Sequence, residues 1–196
     1  MEPDNAVKIN RCNNDQHGEL MKRYLLLAVM MVSPLSWANS SPEFDKLVTE
    51  LKVQYKEQES TRFGDYKKLG GLPHFLLHID EKDTVEKIKL DAYLEGLQNG
   101  YYSALNRERD LNAPTWICMK NAMDLSPKKH PDLFKNLVWE VLDDTAKNDP
   151  QRFRRYNYGA GFAMSIDGII EYGLQRKYPC YQPIPKVYQF KGWKYD

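Results

Sequence analysis

Residues 83–105, DTVEKIKLDAYLEGLQNGYYSAL, decide the fold class of this chain. Leu90, Tyr93, Leu94, Leu97, Tyr101, Ala104 and Leu105 recur at spacings of three and four, which lines apolar side chains along one face of an α-helix. Asp83-x-x-Glu86 resembles a capping box at its start. The pattern fades at Arg107–Asp110.

Working outward, the same periodicity returns in three places. Phe44, Leu47, Val48, Leu51 and Tyr55 form a stripe after Ser41-Pro42, which predicts a helix over 43–60. Phe134, Leu137, Val138, Val141 and Leu142 form another after Pro131, ending in a polar turn, DDTAKND, at 143–149. Asp149-Pro150 then gives an N-cap with proline at the first helical position. That starts a long fourth helix carrying Phe162, Ile166, Ile169, Ile170 and Leu174, stopped at Tyr178-Pro179-Cys180. Between the first two helices, FGDYKKLGGLP (63–73) reads as a loop, and HFLLHI (74–79) as a short strand or an extended packing segment. The expected architecture is mainly α: a single-domain bundle of about four helices over residues 39–196. An irregular, proline- and aromatic-rich tail follows at 181–196. Gly96, Gly100, Gly159, Ala160, Gly161 and Ala163 interrupt bulky stripes, and close helix–helix approach is the expected reason.

The N-terminal region points to export. Met21-Lys22-Arg23 is a basic start, and Tyr24–Val32 is an apolar run too short for the about 20 residues that span a bilayer. Ser36-Trp37-Ala38 offers a small-residue cleavage site after Ala38. A buried helix or an uncleaved anchor suits Pro34 and the Ser/Ala run less well. Residues 1–20 are polar and aperiodic. Gly18-Glu19 can be encoded by a purine run of the kind that precedes a bacterial start codon, so translation is expected to begin at Met21. Residues 1–20 are then an over-extended reading frame, and 21–38 a signal peptide delivering the chain to the periplasm.

Cysteine usage agrees with that destination. Cys12 lies in the leader, leaving Cys118 and Cys180, and an even pair in an oxidising compartment usually bonds. Closing a loop of roughly 60 residues restricts the unfolded chain by about 4 kcal/mol in the entropy account. The net charge is +1, and residues 1–38 contribute equally to both signs. This gives no electrostatic case for nucleic acid or for an anionic membrane once the leader is removed.

The search for chemistry gives no catalytic residue and no cofactor. Gly159-Ala160-Gly161 lacks the Gly-Lys-Ser/Thr of a phosphate loop, and neither Gly-x-Ser-x-Gly nor His-Glu-x-x-His occurs. Cys118 has a disulfide mate, which argues against a thiol nucleophile. If HFLLH is extended, His74 and His78 share a face with Asp80, an arrangement that zinc would suit. Partly solvated histidines in a loop are the plainer account, and no metal is expected. Glu81, Asp83 and Glu86 read as first-turn charges favoured by the helix dipole.

Two stretches suit a protein partner. Asp143, Asp144, Asn148 and Asp149 form either a solvated turn or an acidic contact for a cationic partner. Tyr181, Tyr188, Phe190, Trp193 and Tyr195 either pack over the helices as a lid or form a recognition surface.

With these residues in view, the chain resembles exported immunity proteins of the Rap1a/Tai type over about 84–180. The matching positions are Tyr93-Leu94-Glu95-Gly96 in a helix, Cys118, Ser126-Pro127, and the closing Tyr178-Pro179-Cys180. The chain departs from that pattern in the helix at 43–60, the segment at 63–82 and the tail. The resemblance implies a non-enzymatic protein that neutralises a type VI secretion effector, often a peptidoglycan amidase, by occluding its active site. Two-cysteine helical architecture also resembles acid-stress periplasmic chaperones of the HdeA type. A metal-dependent protein using His74 and His78 is a third reading, and a homodimer stays open.

Overall fold

α1, Pro42–Gln58, opens at Ser41, whose hydroxyl accepts the Phe44 N–H at 3.2 Å. The computed structural model describes residues 40–58 and 68–190, so the leader and the end of the tail, including Trp193, lie outside the described residues. α1 buries Phe44, Leu47, Leu51 and Tyr55 along the expected stripe. Six α-helices are present among the described residues. No strand is among them, and one isolated antiparallel bridge joins Gly71 to Ser165.

The segment expected to be extended is instead α2, Leu72–His78. Gly71 is its N-cap and Pro73 sits in its first turn, where the missing N–H costs nothing. Leu72, Pro73, His74, Phe75 and Leu76 are all buried. Five buried residues in succession carry no amphipathic period, so a short apolar run could not reveal the helix. α2 is tied to a distant part of the chain by Leu72 N–H to Met164 O at 2.9 Å and Ile166 N–H to Gly70 O at 2.7 Å.

α3 runs from Val85 to Asp110. Its cap is Thr84, whose hydroxyl accepts the Lys87 N–H, so the helix begins one residue later than the Asp83 signal suggests. Asp83 itself has φ 56°. Leu90, Leu94 and Leu105 are buried as expected, whereas Ala104 is exposed. Gln98 is buried in the same stripe and donates to Leu125 O at 2.9 Å and His130 O at 3.0 Å. It thereby pins the connector that follows the helix. Gly96 and Gly100 face open space, and a methyl group at either would touch nothing within 4 Å. The expectation of close approach at these two glycines is therefore wrong.

α4, Leu133–Asn148, buries Phe134, Leu137, Val138, Val141 and Leu142. The DDTAKND stretch belongs to this helix through Asn148 and is not a turn. The Asp143–Lys147 pair at i,i+4 and the Thr145 hydroxyl bond to Val141 O at 2.7 Å hold it helical.

The long fourth helix is replaced by a broken path. A 3₁₀ turn at Arg152–Arg154 leads to a left-handed turn at Tyr156–Tyr158, then to α5, Gly159–Phe162, and α6, Ile166–Lys177. The break lets Gly161 meet α1: a Cβ there would lie 1.9 Å from the Tyr55 hydroxyl. It also frees Met164 and Ser165 to bridge to the start of α2.

α4 and α6 meet closely at Gly173, where a Cβ would lie 2.7–2.9 Å from Leu137 and Val141 side-chain carbons. Ile169, Ile170 and Leu174 complete this seam without exposure. Cys118 and Cys180 are disulfide-bonded, and Cys118 N–H bonds to Tyr178 O at 3.0 Å. The connector before α4 is thus fastened to the residue that opens the tail.

The two kinds of glycine predict opposite outcomes in urea unfolding. Gly173→Ala overpacks the seam and should cost about 1–3 kcal/mol. Gly96→Ala fills open space and should stabilise the protein by about 0.5–1 kcal/mol.

Candidate functional site

Of the acidic residues at the end of α4, Asp144 and Asp149 are joined to other parts of the fold, and Asp143 pairs within the helix. Asp143 pairs with Lys147 at 2.5 Å. Asp144 takes both amines of the Arg176 guanidinium on α6, and the Arg176 hydrogen bonds hold its carboxyl below the ordinary range. Asn148 donates to Asp144 O at 2.9 Å, and Asp149 pairs with Arg155 at 2.8 Å. Within the chain, these carboxylates act as braces to α6 on one side and to the 152–158 segment on the other.

α6 carries the tail. Gln175 donates from Nε2 to Tyr188 O at 2.5 Å and accepts the Phe190 N–H on Oε1 at 2.9 Å. One side-chain amide therefore satisfies the tail backbone much as a neighbouring strand would. The Phe190 ring lies 6.0 Å from Tyr172, and the Arg176 guanidinium lies 5.5 Å over the same tyrosine. The path Asp144–Arg176–Tyr172–Phe190 links two stretches that the sequence offered separately. Along the clamped arm, Tyr181 is 98% exposed, Val187 80% and Tyr188 37%.

A third element is a left-handed turn that the hydrophobic pattern does not show. Tyr156, Asn157 and Tyr158 have φ of 56°, 53° and 66° in succession. Left-handed backbone costs a non-glycine residue about 1–2 kcal/mol, so something must hold this turn. Glu50 of α1 does so from beneath. Its carboxylate accepts Arg154 Nε at 2.7 Å, Arg154 Nη2 at 2.6 Å and the Tyr158 hydroxyl at 2.6 Å. Arg154 also reaches Pro150 O at 2.9 Å. The Arg154 hydrogen bonds are the main reason that the Glu50 carboxyl is lowered to about 2. At the head of the turn, Tyr156 is 76% exposed. Asn157, a residue type tolerant of positive φ, and the following Gly159 are the only hints that the sequence carried.

His74 and His78 come together on one side of α2, their ring centroids 4.5 Å apart. His74 is buried. Its Nε2 has no hydrogen-bond partner and lies 3.9 Å from Glu86, while His78 Nδ1 is 3.0 Å from Glu81. Burial, then the neighbouring His78, pushes the His74 pKa down. Asp80 turns away to pair with Lys52 at 2.7 Å. Among the described residues, no group of three or more His, Cys, Asp or Glu side chains is placed to hold a metal ion. A polar groove of 340 Å³ lies between α3 and the 127–135 segment, with Leu94, Pro127 and Pro131 among Lys87, Asp91 and Lys135.

No family model, curated protein or solved structure matches this chain.

Two pH windows follow from these environments. The folded His74 pKa lies below its ordinary 6.5, so the unfolded chain takes up that proton first as pH falls. Stability is full above about pH 6.5 and declines below it. Glu50 is lowered from 4.5 to about 2, so its contribution is present above 4.5 and is lost toward pH 2. Urea midpoints should fall between pH 7 and 5, and His74→Phe should flatten that window while leaving the decline below pH 4.5. Glu50→Gln should cost about 2 kcal/mol at pH 7, the scale of a hydrogen bond to a charged group, and should shrink the lower decline.

Proposed function

We propose that this chain is an exported, disulfide-fastened protein-binding module of the immunity type. In this reading it resides in the periplasm after its leader is removed, and it neutralises a type VI secretion effector by covering the effector's active-site cleft. The observation that carries the reading is the arm at 181–190. It holds exposed tyrosine and valine side chains on a backbone clamped to α6 by Gln175 and fastened at its origin by Cys180.

The physics of such a contact follows from that arrangement. A segment already held in place loses little conformational freedom on docking, so its aromatic contacts convert efficiently into affinity. Tyr181 and Tyr188 would act as anchors filling pockets on the effector. The Asp144–Arg176 pair would work from behind, fixing the helix that presents them. Resemblance over 84–180 supports the immunity assignment, and the disulfide suits an oxidising compartment. Among the described residues, no helix is long and apolar enough to cross a membrane. A peptidoglycan amidase is the effector class that the resemblance suggests.

One observation favours a second reading, a periplasmic stress chaperone. The buried His74 of α2, whose Nε2 has no hydrogen-bond partner, gives the fold a built-in weakness to acid. That reading requires apolar surface to open at low pH, visible as dye binding. A fold unchanged at pH 2–3 would exclude it.

The immunity reading is tested by competition between kin. A strain lacking this protein should be lysed by neighbours that secrete the effector encoded beside its gene, and periplasmic expression should restore survival. Replacing Tyr181, Val187 and Tyr188 together by serine should weaken binding to that effector by about 30-fold or more without unfolding the protein. A deletion strain that stays healthy beside such neighbours contradicts the proposal.

A further inference from the structure

We infer that the left-handed turn at Tyr156–Tyr158 is a preformed contact loop, that Tyr156 is the anchor it presents, and that Glu50 is its positioning residue. The inference rests on the protein-binding reading above and names a second contact element for it. The partner surface it fits is a concave pocket of aromatic size on the same effector.

Three successive non-glycine residues, two of them tyrosines, occupy the left-handed region between the 3₁₀ turn and α5, a region that non-glycine residues seldom enter. Such residues persist only where surrounding structure overdetermines them, and they gather at ligand clamps and contact sites. The surroundings do overdetermine this turn. Glu50, more than a hundred positions away in sequence, binds Arg154 through two nitrogens and Tyr158 through its hydroxyl. Asp149 braces the turn from the end of α4 through Arg155. Backbone bonds from Tyr158 N–H to Arg154 O and from Gly159 N–H to Tyr156 O close it on itself.

What this apparatus delivers is a large aromatic side chain pointed outward. Tyr156 is 76% exposed, while Phe153 just before it is buried and Tyr158 just after it is tied to Glu50. Tyrosine on a rigid loop gives broad amphipathic contact at small entropic cost. The Arg155 side chain beside it is paired with Asp149, so the contact that the loop offers is carried by the tyrosine.

Photocrosslinking in the full-length chain tests this. Benzoyl-phenylalanine is placed in turn at positions 156, 188 and 88, in cells that also produce the effector encoded alongside. Adducts of that effector at 156 and 188, with none at the exposed control Ile88, are expected. With the purified effector, Tyr156→Ala should weaken binding by about 30-fold, whereas Tyr156→Phe should stay close to wild type. Glu50→Gln should weaken binding by roughly tenfold in protein that remains folded by circular dichroism. In the same variant, backbone couplings of residues 156–158 should lose their left-handed values while those of α1 hold. Adducts at 188 but not at 156 overturn the loop and leave the binding reading standing. Adducts at neither position overturn both, and an adduct at 156 with unchanged affinity in Tyr156→Ala overturns the anchor.

Discussion

The contact of Gly173 with Leu137 and Val141 fixes α6 against α4, and most of the presenting surface depends on it. A side chain at 173 would press against Leu137 and Val141 and push the two helices apart. With the helices this close, Arg176 reaches Asp144 and Lys177 reaches Glu140 at 2.9 Å. Gln175 is then left facing the arm, with its amide free to hold Tyr188 and Phe190. The disulfide completes the frame by joining Cys180, at the end of α6, to the connector that leads into α4. Packing, ion pairing and covalent closure thus act on one seam.

Charge serves this frame as alignment. The ion pairs at the end of α4 are largely solvent-accessible, and pairs of that kind contribute little to stability, of order 0–1 kcal/mol each. Their value is directional. Asp144 orients the helix that carries the arm, Asp149 braces the loop that carries Tyr156, and Glu50 locks that loop from below. Carboxylates that a reading of composition offers to a cationic partner are engaged within the chain. Among the side chains left facing solvent at these elements are Tyr156, Tyr181, Val187 and Tyr188, and large aromatic groups are those from which protein interfaces draw much of their affinity.

What the sequence disclosed follows what periodicity can encode. α1, α3 and α4 each bury one face, so their stripes were legible, and the pairing of Cys118 with Cys180 followed from there being two cysteines beyond the leader. α2 was hidden because five of its residues in succession, Leu72 to Leu76, are buried. The break at 156–158 was hidden because backbone handedness leaves almost no trace in a hydrophobic pattern. Glycine proved ambiguous for a related reason: nothing in the sequence distinguishes Gly96, facing solvent, from Gly173, pressed against a neighbouring helix. Gln98 sits in an apolar stripe, and only the fold shows the two carbonyls it serves. Residues of the candidate surface were visible in advance as acidic and aromatic stretches. Their division into braces and anchors was not, since it depends on contacts between helices far apart in sequence.

The account holds that this fold maintains two aromatic-bearing segments, the loop at 156–158 and the arm at 181–190, in place before any partner arrives. Backbone ¹⁵N relaxation of the isolated, oxidised protein measures that directly. Order parameters at Tyr156 and Tyr188 close to those of the helices, about 0.85, are the predicted result. Values below about 0.6 at both positions would show segments that become ordered only on contact, and would contradict the claim that the helical frame exists to present them.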